Sequence, residues 1–284
     1  MDLKDVQPYI EGKICMVTGG GGSIGSEIVR SLSKLNAEKI VIVDIYENGA
    51  YSVKCEVGDK VTVEIASVRD YEKMDCIMNK YRPDIVFHAA AHKHVPFMEL
   101  SPEEAVKNNV KGTETVADLA EKYNADNFVL ISTDKAVEPI SVMGASKRCC
   151  EMYVYEKSLK SKHTKFSAVR FGNVLNSNGS VIPLFKKQIK NGVVTVTDKD
   201  VTRFFMTIPQ AVELVLMSLT VANGGEIFVF DMGGAVRILD VAEKVIKDGG
   251  KVPYKDVKIE FTGLRKGDKL HEKLFFDFEQ PQKT

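Results

Sequence analysis

The chain lacks the features that mark several classes of protein. Acidic and basic residues are equal in number, 39 of each in 284 residues, so no global field attracts nucleic acid or a membrane surface. No apolar run reaches membrane-spanning length, and the first residues, MDLKDVQPYIEGK, are too polar for a signal peptide. We therefore expect no nucleic-acid partner and no membrane insertion by this chain.

Metal-ligand patterns are also missing. The five cysteines are odd in number and lack the spacing of metal ligands. Cys149 and Cys150 are adjacent in a predicted helix, where they cannot easily bridge each other. His92 and His94 are separated by one residue, but no third ligand accompanies them. We predict reduced thiols, no metal site and a cytoplasmic protein.

What the sequence does contain is an alternation of apolar runs with amphipathic stretches over its first two thirds. The length suits a large α/β domain with a smaller C-terminal lobe. Buried apolar strands separated by helix-period segments predict a doubly wound parallel sheet. The predicted strands are KICMVTG, KIVIVDI, VTVEIAS, PDIVFHAA, NFVLIST, KFSAVRF and, later, GEIFVFDMGG.

The alternation is less regular in two places. Residues 47–60 contain the turn formers Asn48-Gly49 and Gly58-Asp59, which predict a short or irregular second crossover. After Phe171 we predict helices near residues 184–190, 209–221 and 238–247, with a hairpin-like NGVVTV between the first two. The predicted boundary lies near Gly172. Residues 1–172 plus about 208–230 would form the dinucleotide-binding domain, and residues 173–207 plus 231–284 the smaller lobe.

A glycine-rich loop follows the first predicted strand. VTGGGGSIG places Gly19, Gly22 and Gly25 before a helix, where they allow a tight turn and bring free amides to a pyrophosphate. Taken alone, this pattern also fits a flexible turn, but its position in the first strand–helix unit favours a dinucleotide. Asp44 ends the second strand, where a carboxylate accepts hydrogen bonds from ribose hydroxyls. The next two residues supply no cation for a 2′-phosphate, so NAD is favoured over NADP.

One expected residue is missing from the segment STDKAVEPISVMGASK, residues 132–147. In a dinucleotide enzyme, a tyrosine four residues before a lysine is the usual acid/base pair, one helical turn apart. Here Met143 stands four residues before Lys147, and a thioether has no proton to give or take. Proton chemistry must therefore involve other side chains.

Together these motifs resemble a known family. The glycine loop, ASVRD, HAAAHKHVP, NNVKGT, the Lys147 helix and RFGNV are similar to the extended short-chain dehydrogenases/reductases. More narrowly, STDKAVEPISVMGASKR, GSVIPLF, TRFFMT and GLRKGDKLHE resemble the UDP-N-acetylglucosamine 4,6-dehydratases of bacterial polysaccharide and glycan biosynthesis. One branch of these enzymes has methionine in place of the tyrosine. The resemblance covers nearly the whole chain.

The resemblance implies a redox-neutral reaction on tightly held NAD. Hydride leaves sugar C4 for the nicotinamide, a base then removes the C5 proton while the C6 hydroxyl departs with an acid's proton, and hydride returns to C6. The product would be a UDP-2-acetamido-2,6-dideoxy-4-hexulose. We expect the configuration at C5 to be retained. A UDP-sugar partner and a homo-oligomer, dimer or hexamer, are also implied.

The resemblance assigns roles to the residues of the 132–147 segment. Thr133 would bond the C4 hydroxyl, and Asp134 would be the acid for the C6 hydroxyl if burial preserves its proton. Lys135 would be the C5 base if desolvation and nearby Lys147 favour the neutral amine. Lys147 would hold the nicotinamide ribose, and Met143 would only shape the pocket. Alternatively, Asp134 and Lys135 form a surface ion pair.

Two binding sets follow from the same motifs. The cofactor set lies after the first, second, third and fourth strands: Gly19, Gly22, Ser23, Ile24, Gly25, Asp44, Ser67, Val68, Ala89, Ala90 and, on its helix, Lys147. The substrate set comprises Lys93, His94, Asn173, Ser180, Val181, Arg203, Arg265 and Glu272. Arginine forks suit diphosphate oxygens, although either arginine alone is equally a surface charge. Glu272 would accept from ribose hydroxyls or orient Arg265.

Two rival functions stay open. A 4-epimerase or reductase on the same scaffold needs no acid for elimination at C6, so the cluster Thr133, Asp134 and Lys135 argues against it. A catalytically silent NAD- or nucleotide-sugar-binding protein is suggested by the missing tyrosine. The retained Asp134, Lys135 and Lys147 argue against that function, because a protein that only binds has no need of proton donors there.

Overall fold

A computed structural model describes residues 3–177 and 179–282 of the chain. Strands are numbered in chain order. They are β1 (Ile14–Thr18), β2 (Lys39–Asp44), β3 (Val61–Ile65), β4 (Ile85–His88), β5 (Asn127–Ile131), β6 (Lys165–Arg170), β7 (Asn173–Val174), β8 (Val193–Val196), β9 (Thr202–Arg203), β10 (Phe205–Met206), β11 (Ile227–Val229), β12 (Val236–Arg237) and β13 (Lys258–Phe261).

The α-helices are likewise numbered in chain order. They are α1 (Gln7–Ile10), α2 (Ser23–Lys34), α3 (Glu47–Val57), α4 (Tyr71–Tyr81), α5 (Val95–Leu100), α6 (Pro102–Ala105), α7 (Gly112–Lys122), α8 (Val142–Lys160), α9 (Val181–Ile189), α10 (Ile208–Val221) and α11 (Ile238–Asp248). Short 3₁₀ turns cover Leu3–Asp5 and Asp134–Ala136, and a π-helical turn covers Val106–Lys111.

The centre of the molecule is a seven-stranded sheet in the order β11-β6-β5-β4-β1-β2-β3. Every neighbouring pair in it is parallel. The doubly wound parallel sheet predicted from the sequence is therefore confirmed, with all seven predicted strands in place. Strand β1 lies between β2 and β4, where the strand order reverses. The carboxyl end of β1 is thus at the point where ligands bind in open α/β sheets.

Both faces of the sheet are buried, which explains why its strands are almost continuously apolar. Val17 faces one core with Ile28 of α2 and Leu216 of α10. The preceding residue, Met16, faces the opposite core, formed with α4, α7 and α8. Because side chains alternate along a strand, one run of apolar residues supplies both cores.

Two predictions about local structure were wrong. The second crossover is a regular helix, α3, and Asn48-Gly49 lies in its first turn. A Cβ on Gly49 would lie 2.6 Å from the Tyr46 ring and 2.7 Å from the Gly21 carbonyl oxygen, so this glycine permits close packing rather than a turn. The hairpin-like NGVVTV forms β8, which pairs in parallel with β13 far along the chain.

A smaller core lies beyond the sheet. It joins α9, α11, β8 and β13 through side chains such as Phe185, Val194, Ile246 and Ile259. Helix α10 packs on α2, and β11 adds to the edge of the central sheet beside β6. The predicted division into two domains stays a prediction.

Within the described residues, no helix is both long enough and apolar enough to cross a membrane.

Candidate active site

A cavity of about 1010 Å³ lies between the carboxyl ends of the sheet strands and the smaller core. The glycine loop lines one side of it, and residues of α9, β8 and the loops around them line the other. This volume is at the upper end of the range of small-molecule sites. The cavity therefore has room for an extended ligand that reaches from the glycine loop to the smaller core.

The glycine loop is shaped by close backbone contacts. Gly19 has φ +70°, and a Cβ on Gly25 would lie 2.2 Å from the Gly19 carbonyl oxygen. A Cβ on Gly19 would lie 2.8 Å from the Cα of Ala90. Gly22 is the N-cap of α2, and no side chain caps this helix. These features form a cradle that side chains would fill, and they fit a dinucleotide pyrophosphate at the helix N-terminus.

Asp44 fastens the loop to the second strand. Its two carboxylate oxygens accept hydrogen bonds from the backbone amides of Gly21 and Tyr46, each at 2.8 Å. A carboxylate has further lone pairs, so a ribose contact remains available. Asp44 itself does not line the cavity, and neither do Ser67, Val68 and Ala90. The cofactor roles of these residues stay predictions.

Residues 132–138 follow β5 and contain three of the predicted catalytic residues, so we call them the catalytic loop. Thr133 caps its 3₁₀ turn, and the amide of Asp134 donates to the carbonyl of Phe171 at 3.0 Å. Asp134 is fully buried, and its Oδ1 accepts from the Thr133 hydroxyl and the Lys135 amine, each at 3.0 Å. Its Oδ2 has no hydrogen-bond partner among the described residues. This is unusual, because buried polar atoms in proteins are normally hydrogen-bonded.

Lys135 lies at the edge of the cavity. Its amine donates to Asp134 and also to the side-chain oxygen of Asn173 at 3.2 Å. The nearest oxygen of Glu272 is 3.7 Å away. Because the Asp134 and Glu272 side chains are 0% and 3% exposed, this cluster is not the surface ion pair that the sequence left as an alternative.

Helix α8 contributes Lys147 and Met143 to the cavity lining. Lys147 is buried, and desolvation lowers its pKa against the opposing influence of Cys150 and Glu151. Met143 is 3% exposed and packs in an apolar cluster with Val95, Met98 and Ala105. The residue in the tyrosine position is therefore part of an apolar wall.

The loop after β4 is braced by a residue of the π-helical turn. The side chain of Asn109 bonds the backbone carbonyl and amide of His92 at 3.0 and 2.8 Å, and the Ser146 hydroxyl of α8 at 2.9 Å. This brace holds Lys93 and His94 at the cavity. A Cβ on Gly179 would lie 2.8 Å from the His94 ring, so a glycine is required beside it.

His88 at the end of β4 has a structural role, because it forms hydrogen bonds within the buried interior. Its ring nitrogens pair with the hydroxyls of Thr18 at 2.7 Å and Thr113 at 3.0 Å. Complete burial, with a smaller effect from Lys147, lowers the pKa of His88 to about 3. The ring is therefore neutral at physiological pH.

Both predicted diphosphate arginines line the cavity, but each already has partners. The Arg203 guanidinium donates to the carbonyls of Thr202, Lys269 and Leu270 at 2.7, 2.8 and 3.2 Å. Arg265 donates to the Asp268 carboxylate at 2.8 Å. Glu272 does not orient Arg265, because its ion pairs join it to Lys135 and Lys269. Substrate contacts of these residues stay predictions.

Most of the predicted residues meet at one cavity, which the sequence could not show. Seventeen of them line it: Gly19, Gly22, Ser23, Ile24, Gly25, Ala89, Lys93, His94, Thr133, Lys135, Met143, Lys147, Asn173, Ser180, Val181, Arg203 and Arg265. Asp134 and Glu272 lie behind the surface. Sequence reasoning missed lining residues such as Phe171, Thr195 and Phe205. Their positions in or directly after a strand gave no signal beyond an apolar or alternating pattern.

Within residues 3–177 and 179–282, no group of three or more His, Cys, Asp or Glu side chains is placed to hold a metal ion.

Comparison with known proteins identifies the family. Residues 15–284 match the sequence model of a family described as polysaccharide biosynthesis protein. The chain belongs to this family. It is 50% identical over 281 residues to the probable polysaccharide biosynthesis protein EpsC of Bacillus subtilis, covering 96% of the chain and 47% of EpsC. The chain thus spans about half the length of that relative, and the same holds for CapD of Staphylococcus aureus at 48% identity.

Members with named reactions are more distant. The chain is 36% identical to a UDP-glucose 4-epimerase of Rickettsia rickettsii and 34% identical to the inverting UDP-N-acetylglucosamine 4,6-dehydratase of Campylobacter jejuni. Each match covers 92% of the chain and 77% of the relative. The chain, a member of the polysaccharide biosynthesis protein family, is therefore related to UDP-sugar dehydratases and epimerases.

Solved structures show the same fold. Pen from Bacillus thuringiensis superposes with a TM-score of 0.87 at 33% identity, covering 94% of this chain and 84% of Pen. A double mutant of DesIV, a dTDP-glucose 4,6-dehydratase from Streptomyces venezuelae solved with NAD, gives a TM-score of 0.82 at 20% identity, with 92% and 87% coverage. The chain has the Rossmann-type fold of the short-chain dehydrogenases/reductases.

Proposed function

We propose that this chain catalyses the NAD-dependent 4,6-dehydration of UDP-N-acetylglucosamine to UDP-2-acetamido-2,6-dideoxy-4-hexulose. The observation that supports it most is Asp134, which lies buried behind the cavity surface with Oδ2 unpaired among the described residues and Oδ1 bonded to Lys135 at the cavity edge. Elimination at C6 needs an acid and a base together, and this pair offers both. The C. jejuni dehydratase, at 34% identity, has the reaction in its name.

The cofactor side of the cavity supplies binding and orientation. When bound, NAD would supply a reversible hydride acceptor for sugar C4. Backbone amides of the first turn of α2 would hold the pyrophosphate, and Asp44 would accept from the adenosine ribose. Lys147 would hold the nicotinamide ribose. Ile45 and Tyr46, which follow Asp44, supply no cation for a 2′-phosphate, and this favours NAD over NADP.

The catalytic loop would move the protons. Thr133 would exchange its bond to Asp134 for one to the C4 hydroxyl. Asp134 and Lys135 are bonded at 3.0 Å, so a single proton can pass between them. The proposed elimination uses the pair as a carboxylic acid and an amine. The acid would protonate the departing C6 hydroxyl, and the amine would remove the C5 proton.

Met143 and Gly172 would shape this site without taking part in proton transfer. Met143 presents an apolar wall to the sugar. A Cβ on Gly172 would lie 3.1 Å from Asp134 Oδ2, so a larger residue would crowd the acid. Retention at C5 would require reprotonation on the face from which Lys135 removed the proton.

A single assay tests this function. Incubation with UDP-N-acetylglucosamine in deuterium oxide is expected to yield a 4-keto-6-deoxy product with deuterium at C5. NMR and mass spectrometry would detect this product. Asp134→Asn and Lys135→Ala should each lower turnover by about 10²–10⁴-fold, the usual range for general acid or base removal. An intact protein that gives no product with any of several UDP-sugars would contradict the proposal and favour a silent binding protein.

A UDP-sugar 4-epimerase is the second candidate, because the R. rickettsii epimerase is 36% identical over 270 residues. The same assay separates the two functions. An epimerase would give the C4 epimer, with no loss of water and no deuterium from solvent. The homo-oligomer, dimer or hexamer, and the cytoplasmic location stay predictions.

A further inference from the structure

Residues 262–282 form no helix or strand, yet part of this segment reaches the catalytic loop. We call residues 269–279 the strap. A segment outside helices and sheets lacks their regular backbone hydrogen bonds, so its position depends strongly on its other contacts. The Arg203 guanidinium and the Thr202 amide donate to backbone carbonyls at the start of the strap. Two further sets of contacts, one at each end, join the strap to the catalytic loop and to the residues that support it.

The first set is built around Arg170 at the end of β6. Its side chain is 0% exposed and makes two bonds to Glu151 of α8, at 2.9 and 3.0 Å. It also bonds Glu279 of the strap at 2.8 and 3.2 Å and the carbonyl of Leu274 at 3.0 Å. Burial opposes ionisation of Glu279, but the bonds from Arg170 outweigh it and lower the pKa of Glu279.

This cluster continues into the catalytic loop. The hydroxyl of Ser132 donates to Glu151 at 2.6 Å, one residue before Thr133. Arg148 also bonds Glu151, at 3.0 Å. Two guanidinium groups are thus balanced by two carboxylates, and one of the carboxylates is Glu279. Without it, the buried cluster would have an excess positive charge, which is costly in a low-dielectric interior.

The second set of contacts reaches the catalytic loop directly. Glu272 lies 3.7 Å from the amine of Lys135. Lys269 donates to the carbonyl of Val137 at 2.5 Å and lies 3.5 Å from Glu272. Lys273 pairs with Glu138 at 2.8 Å. The strap therefore contacts the loop at its catalytic amine and at the two residues where the loop ends.

We propose that the strap holds the catalytic loop in its working geometry, with Glu279 and Glu272 as positioning residues. Glu279 acts on Ser132 and Thr133 through Arg170 and Glu151, and Glu272 acts on Lys135. The catalytic consequence rests on the dehydratase function proposed above, whereas the control of loop geometry does not. The mechanism itself uses neither glutamate.

The test compares Glu279→Gln and Glu272→Gln with Asp277→Asn. Asp277 lies in the same strap, but its side chain is 86% exposed and pairs only with the exposed Lys273 among the described residues. Each glutamate variant should lower kcat by about 10- to 100-fold with little change in KM for the UDP-sugar, the effect of small misplacement of catalytic groups. Asp277→Asn should leave both constants unchanged.

Hydrogen exchange gives a reading that is independent of turnover. In the intact chain, amides of residues 133–137 should exchange about tenfold faster in Glu279→Gln than in Asp277→Asn, because the loop loses an anchor. If the unmodified protein shows no dehydratase activity, faster exchange still supports the strap while the proposed function fails.

Two outcomes would overturn the proposal. One is unchanged loop exchange in both glutamate variants. The other is faster exchange with kcat unchanged, which would make the strap a purely structural element. If Glu279→Gln does not fold, the comparison between Glu272→Gln and Asp277→Asn decides the matter, because Glu272 lies outside the Arg170 cluster.

Discussion

The two sides of the cavity are constructed differently. On the cofactor side, glycines bring backbone against backbone, as where a Cβ on Gly25 would lie 2.2 Å from the Gly19 carbonyl. On the catalytic side, charged side chains from distant parts of the chain meet. Lys135 and Glu272 are 3.7 Å apart in space, and Arg170 joins α8 to the strap.

The difference determines how each side can fail. A backbone cradle is disrupted by adding atoms, because close-packed groups cannot move apart without strain. A charge cluster is disrupted by removing a partner, because the remaining charge is left buried. The variants below test the two sides separately, beginning with the largest expected effect.

Gly25→Ala adds a single methyl group to the cofactor side. Its Cβ would press on the Gly19 carbonyl, and overpacking against backbone costs about 3 kcal/mol or more. We expect a loss of NAD affinity of about 100-fold, measured by calorimetry, together with a lower midpoint of thermal unfolding. Gly234→Ala is the matched control, because no atom lies within 4 Å of the added methyl group. Equal behaviour of the two variants would show that the cradle is not closely packed.

Met143→Tyr places the missing hydroxyl on the catalytic side. The side chain is 3% exposed, so the larger ring should destabilise the fold by about 2 kcal/mol through overpacking. Under the proposed dehydratase function turnover should not rise, because Asp134 and Lys135 would provide the acid and base. Unfolding in urea and the dehydratase assay measure the two effects, with Met143→Leu as the apolar control. A variant that gained activity from an inactive parent would support the silent binding protein.

His88 lies between the two sides and should give the smallest effect. Its pKa falls from an ordinary value near 6.5 to about 3 on folding, so the unfolded chain binds the proton more tightly. The stabilising contribution is complete above pH 6.5 and is lost as the pH falls toward 3. The slope from this residue is about 1.4 kcal/mol per pH unit.

Urea unfolding of the parent and His88→Gln at pH 7 and pH 5 measures this slope. The variant should be less stable at pH 7 because of lost packing, but its stability should fall less between the two pH values. Identical pH dependence in both proteins would mean that the pKa of His88 is the same in the folded and unfolded states, contrary to its burial between Thr18 and Thr113.

Prediction from the sequence succeeded where a local pattern determines the structure. The seven strands, the glycine loop and helices α10 and α11 follow from apolar periodicity and from glycine spacing. It failed where a local pattern had two physical explanations. Asn48-Gly49 resembled a turn, but Gly49 instead lets α3 pack against the Gly21 carbonyl. The NGVVTV segment resembled a hairpin, but its partner β13 is distant in sequence.

The sequence by itself determined the sheet strands, the glycine loop and the absence of a tyrosine at position 143, because each depends on residues close together in the chain. Only the tertiary structure decided what surrounds the predicted catalytic residues. In the folded chain Asp134 is buried, and the Glu272 carboxylate lies 3.7 Å from the Lys135 amine. The Arg203 guanidinium donates hydrogen bonds to three backbone carbonyls. Charge and burial depend on which distant segments meet, and folding alone brings those segments together.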